Sequence, residues 1–303
     1  MEIRIPIMGE SGEIGDPRYH SRKASLHESA GDLKRAVEEM SKAIAGNPEM
    51  LSYREQMIRI LEKAGDDQEI VRQCDEVINA RPRDADFRFR KIEALRRMQK
   101  LNEALGVFDQ ITSIYPHDPS YSFRRAKFLW EYEQFGQALR EISRAIFLDP
   151  ENPEYYTARA EILLDTEDLD AAFADYETAL ELSKENVDMI YHMAQIREAQ
   201  GRKQEALELY RKIIKLRPHQ IYSYQCLCDF YMAAGEYTDA IGMYDRMISL
   251  DPEKANLYLD RAALYEDLDM TGNAVLDYEK YLTLEPSDSG VANRLSALRE
   301  RMA

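Results

Sequence analysis

Several kinds of protein are excluded by what this 303-residue sequence has little of. Its three cysteines, Cys74, Cys226 and Cys228, are too few for a disulfide framework and fit a reducing compartment. Cys226 and Cys228 stand two apart on one expected helix and so point to different faces, which argues against a shared metal. The five histidines are scattered, and none combines with Cys or carboxylates at metal-ligand spacing. His20 and His27 share a helix face but take packing positions, so they read as structural. No stretch is apolar enough for a secretory signal or a membrane span, so the expectation is a cytoplasmic protein with no membrane partner. A Gly-x-Ser-x-Gly nucleophile motif is lacking, and Gly9, Gly12 and Gly15 lead into no phosphate loop. The chain is therefore read as a non-enzyme with no catalytic residue, metal or cofactor. Positive charge is short too. A net charge of −16 argues against nucleic acid, which is bound by clustered Lys and Arg.

What is present points to helices. Hydrophobic residues make up 45% and charged residues 32%, with only 13 Gly and 11 Pro, a folded rather than disordered composition. The acidity is uneven: residues 1–150 carry a net −2 and residues 151–303 a net −14. The prolines carry the strongest signal. Those at 48, 82, 116, 150, 218, 252 and 286 stand on one grid of 34 residues, its single gap filled by Lys184. With proline at repeat position 32, eight units follow without gaps: 17–50, 51–84, 85–118, 119–152, 153–186, 187–220, 221–254 and 255–288.

Other positions align on the same grid. Position 8 is small in Ala24, Ala126, Ala160, Ala194, Cys228 and Ala262. Position 20 is alanine in every unit but the second, which has Ile70. Position 24 is aromatic in Phe108, Tyr176, Tyr210, Tyr244 and Tyr278. Gly31, Gly65, Gly201 and Gly235 recur at position 15, where a turn is expected. The seventh unit reads Tyr224, Leu227, Cys228, Tyr231, Ala240, Tyr244, Pro252. This pattern resembles the tetratricopeptide repeat (TPR) family and covers residues 17–288. The resemblance implies an all-α fold: an α-α superhelix, or solenoid, of eight helix-turn-helix repeats. Small residues at positions 8 and 20 let two antiparallel helices approach, and the aromatic at 24 fills the space beside them.

Antiparallel pairing sets positions 7 and 23 opposite each other. Four units carry opposite charges there, predicting the ion pairs Lys23–Glu39, Arg125–Glu141, Arg159–Asp175 and Arg261–Asp277. Residues 289–303 read as a C-terminal capping helix with Val291, Leu295, Leu298 and Met302 on its apolar side. Residues 1–16 lack helical periodicity and read either as a flexible segment or as an extended segment that docks on a partner or into the chain's own groove.

The resemblance further implies that positions 2, 5, 6, 9, 12 and 13 of each first helix line a concave groove. Candidate partner-binding residues there are Phe89, Arg90, Arg96, Arg97, Phe123, Arg124, Lys127 and the single tryptophan, Trp130. The three aromatics could instead pack between neighbouring first helices. Later units contribute acids: Glu161, Asp165, Asp188, Glu198, Asp229, Asp260, Glu266 and Asp267. The family's two-carboxylate clamp is not matched, since Ser21, Ser25, Gln56 and Asp86 stand where Lys, Asn, Asn and Lys are required. The expectation is a protein-protein interaction scaffold, a monomer in preference to a homo-oligomer, that binds a protein or peptide segment in its groove. The alternative is an assembly subunit that associates through its convex face or ends.

Overall fold

A computed structural model describes residues 15–183 and 185–302, which hold seventeen helices and no strand. The alternating isoleucines of the N-terminal segment lie outside the described residues. The chain divides into two compact units, with the division between Tyr132 and Glu133. The first holds α1 (Pro17–Ser29) and α2 (Leu33–Gly46), α3 (Leu51–Ala64) and α4 (Asp67–Ala80), α5 (Asp86–Arg97) and α6 (Leu101–Ile114), then α7 (Pro119–Glu131). The second holds α8 (Phe135–Leu148), α9 (Pro153–Asp165) and α10 (Leu169–Ser183), and α11 (Val187–Ala199) and α12 (Lys203–Leu216). It continues with α13 (Ile221–Ala234) and α14 (Tyr237–Leu250), α15 (Ala255–Asp267) and α16 (Thr271–Leu284), and α17 (Ser289–Met302). Within each unit consecutive helices pack on one another, as expected for a solenoid of hairpins. The even 34-residue spacing carries no sign of the division, which falls in the turn between α7 and α8.

The grid explains where helices start and stop. Asp118, Asn152 and Asn186 each accept the backbone N–H two residues on, at 3.0 Å, and so cap α7, α9 and α11. Asp16 caps α1 in the same way, and Pro17, Pro119 and Pro153 occupy first helical positions, where a missing N–H costs nothing. Second helices end two residues before the proline, because the residue preceding proline is driven out of helical geometry. Only α10 runs one residue further, in the unit where Lys184 replaces proline. Position 15 is left-handed in every 34-residue repeat. Glycine meets that demand at Gly31, Gly65, Gly201 and Gly235, whereas Gln99, Glu133, Glu167 and Asp269 are held at φ between 55° and 60°.

The expected close approach of paired helices is present. Every alanine at position 20, the small residues at position 8 and Ile70 have no exposed surface. Tyr176 and Tyr278 are fully buried beside them, and Tyr210 and Tyr244 nearly so. Cys228 packs inward toward the Ala240 carbonyl, while burial raises the Cys226 thiol and Tyr222 contacts it. α17 lays Val291, Leu295 and Leu298 on the eighth hairpin, but Met302 is exposed and contributes nothing to that face.

Three of the four anticipated ion pairs form within hairpins. Lys23 reaches Glu39 at 2.9 Å, and Arg159 and Arg261 each grip their aspartates, Asp175 and Asp277, with two hydrogen bonds of 2.7 Å. Arg125 on α7 and Glu141 on α8 share one 34-residue repeat but stand on either side of the division between the two compact units. In its own unit Arg125 meets Asp109 at 2.8 Å. That contact belongs to a second series, in which the cation at position 7 reaches back to position 25 of the preceding hairpin. Lys91 meets Asp75 at 2.5 Å, Arg159 donates to Ser143 at 3.2 Å, and Arg261 binds Asp245. One cation thus ties its own hairpin together and fastens it to the one before.

Candidate functional site

In the N-terminal unit the first helices α1, α3 and α5 enclose a concavity of 320 Å³. Ser21, Ser52, Glu55, Gln56, Arg59 and Arg90 line it, all from groove positions. Second helices contribute nothing to it; α2 and α4, with residues of α3, border a different depression through Ile44, Arg72 and Glu76. Three of the positions tested for the carboxylate clamp, Ser21, Ser25 and Gln56, are satisfied among themselves. The Ser21 hydroxyl donates to Gln56 at 2.8 Å, and Gln56 donates to Ser25 at 2.7 Å.

The expected basic patch is only partly basic. Arg90 holds Glu62 at 2.8 Å, Arg97 holds Asp67 at 2.7 Å, and Arg96 holds Glu93 at 2.5 Å. These three arginines are neutralised by carboxylates of α3, α4 and α5, and exposed pairs of this kind add little stability. Arg59, Arg124 and Lys127, by contrast, have no carboxylate within ion-pair distance among the described residues. Arg124 lies over the Phe89 ring at 4.5 Å, and Lys127 over Phe123 at 5.4 Å. Phe89 also stacks on Tyr121 at 5.7 Å, so it packs between α5 and α7 as the second reading of the aromatics required. Phe123 and Trp130 are half-buried and two turns apart on α7.

The structure therefore brings together Phe89, Phe123, Arg124 and Lys127, and takes Arg90, Arg96 and Arg97 into local pairs. Tyr121 joins them by stacking on Phe89, and Arg59 lines the concavity of α1, α3 and α5. Arg59 takes groove position 9 and was legible as a lining residue; that it lacks a partner was not.

Helical hairpins stacked at a fixed period, with their chemistry on one helix of each pair, define a repeat-scaffold architecture. Tetratricopeptide repeat profiles match residues 123–187, 163–225, 227–258 and 255–288, together more than half of the chain. The chain belongs to the tetratricopeptide repeat family. Members are in general non-catalytic scaffolds for protein interaction, and this chain shares that architecture. Among solved structures, the C-terminal part of a TPR protein from Cytophaga hutchinsonii is 13% identical with a TM-score of 0.59, and the match covers 78% of this chain and 98% of that one. A tetratricopeptide protein from Parabacteroides merdae is 18% identical with a TM-score of 0.43, covering 93% of this chain and 98% of that one. YrrB, described as a TPR protein with an unusual peptide-binding site, is 17% identical with a TM-score of 0.44, covering 63% of this chain and 97% of its own. A comparison with curated proteins returns no match. No described helix is long and apolar enough to cross a membrane.

Proposed function

We propose that the chain is a scaffold that seats an extended or helical partner segment on the first-helix face of its N-terminal unit, centred on α7. The supporting observation is that Arg124 and Lys127 stand over aromatic rings without carboxylate partners, while the neighbouring arginines are neutralised. Such a face offers a partner carboxylate a cation already held in place, with apolar ring surface beneath for a neighbouring side chain. A segment mixing acidic and apolar residues suits it. Peptides of about twelve residues selected from a random displayed library on the full chain provide the probe. Combined Phe123→Ala, Arg124→Ala and Trp130→Ala substitutions should weaken the best acidic binder by about tenfold or more in fluorescence anisotropy, with helicity by circular dichroism unchanged. Equal affinity in the variant would remove the claim.

The assembly reading has its own observation. Phe147 on α8 is 84% exposed and Leu276 on α16 is 64% exposed, both on second helices. A clean monomer in sedimentation would count against it.

A further inference from the structure

The first-helix face of the C-terminal unit has different chemistry. Asp188 on α11, Asp229 on α13 and Asp260 on α15 take groove positions 2, 9 and 6. No cation among the described residues lies within ion-pair distance of any of them. Other acids of that face are already engaged: Glu266 binds Arg294 at 2.6 Å and accepts from Tyr278, and Glu198 accepts from Tyr210 at 3.1 Å. Asp229 accepts from the Gln225 amide at 2.8 Å and carries no paired cation. Beside Asp188 and Asp229 stand Tyr191 and Tyr222, their ring centroids 6.1 Å apart, with Tyr222 about half exposed. After burial, the Cys226 thiol and the Tyr191 ring, Asp188 also pushes the Tyr222 phenol upward, to about 12; Asp229 acts in the same direction on Tyr191. Burial alone raises the Asp260 carboxyl, with no counter-charge to offset it.

A second observation is independent of these charges. The Tyr176 hydroxyl is buried and has no acceptor among the described residues. Its counterparts at the same repeat position, Tyr210 and Tyr278, donate to glutamates at position 12. The first helix of the Tyr176 unit has Leu164 there instead. The Tyr176 ring stacks on His192, a groove residue of α11, at 5.5 Å. A buried donor left without an acceptor is costly, and an incoming peptide carbonyl would satisfy it once the imidazole swings aside.

We infer that this face is a second docking site, and that its occupant is an extended polypeptide segment carrying lysine or arginine. The cationic group lies on the open side of the Tyr222 ring, beside Tyr191, and is neutralised by Asp188, Asp229 and Asp260, while a backbone carbonyl accepts from Tyr176. Two tyrosine faces flanked by carboxylates suit a cation by ring attraction and by charge. The inference shares with the preceding proposal the idea that first helices receive partner segments, but it concerns other residues.

The test separates the two. The full chain carrying Phe123→Ala, Arg124→Ala and Trp130→Ala is panned against a random displayed library of peptides of about twelve residues, and the recovered sequences are scored for Lys and Arg. Enrichment of these residues is expected. A labelled basic winner should then lose about tenfold in affinity when Asp188→Asn, Asp229→Asn and Asp260→Asn are combined, and about threefold with Tyr176→Phe. Absence of Lys and Arg enrichment, or unchanged affinity in the triple asparagine variant, would overturn the site. Unchanged affinity in Tyr176→Phe would overturn the role given to its hydroxyl. Loss of acidic binders alone in the Phe123, Arg124 and Trp130 variant concerns only the N-terminal face.

Discussion

Glu39 on α2 is 5% exposed and takes hydrogen bonds from His20, Lys23 and Lys42 at 2.7, 2.9 and 2.9 Å. Burial alone would raise its carboxyl, but these three donors more than reverse that and hold it at about 2, against an ordinary 4.5. Because the folded value lies below the unfolded one, the stabilisation is complete above pH 4.5 and is lost as pH falls toward 2. It amounts to something on the order of 3 kcal/mol. Glu39→Gln should therefore lower stability at neutral pH by about that amount and flatten the acid limb, as urea melts across the pH range would measure. At position 15 the strain runs the other way. Gln99, Glu167 and Asp269 hold φ between 55° and 60° where their counterparts are glycine, so each single change to glycine should raise stability by roughly 0.5–1 kcal/mol in thermal melts. Gly65→Gln should cost a similar amount.

At the scale of the hairpin, Arg261 joins Asp277 of its own second helix and Asp245 of the preceding one. Arg261→Met strands the buried Asp277 carboxylate and should cost about 3 kcal/mol, whereas Arg261→Met with Asp277→Leu should recover most of it. A double-mutant cycle by urea melts measures the coupling. The within-hairpin half of this arrangement was legible, because positions 7 and 23 vary together in charge. The link to position 25 was equally present in Asp75, Asp109 and Asp245, but it connects neighbouring repeats and does not show when each repeat is read by itself. The ends of second helices were legible because the proline at position 32 acts locally. The site was less so. Arg90 and Arg97 look like free charge in a linear reading, and only the folded arrangement sets Glu62 and Asp67 beside them, whereas Glu93 stands one helical turn before Arg96.

For the whole molecule, stability in such an array is a sum over hairpins and their nearest neighbours. The Arg261→Met variant should lose hydrogen-exchange protection in α13 to α17, with α1 to α5 unchanged within about twofold. Uniform loss across both units would mean that the chain opens as one block. The division at Tyr132 and Glu133 favours local opening, since each unit has its own buried core.

The backward reach of the position 7 cation also bears on how such an array can be rearranged. Lys91, Arg125 and Arg261 each find an aspartate supplied by the hairpin before them, whereas Arg159 finds Ser143. A copy of the eighth hairpin moved to follow the fourth would meet that serine and be one acid short. Hairpins alike in length are therefore not freely exchangeable in order, and duplication or shuffling that kept the 34-residue frame would still be tested, pair by pair, against the neighbour it acquired.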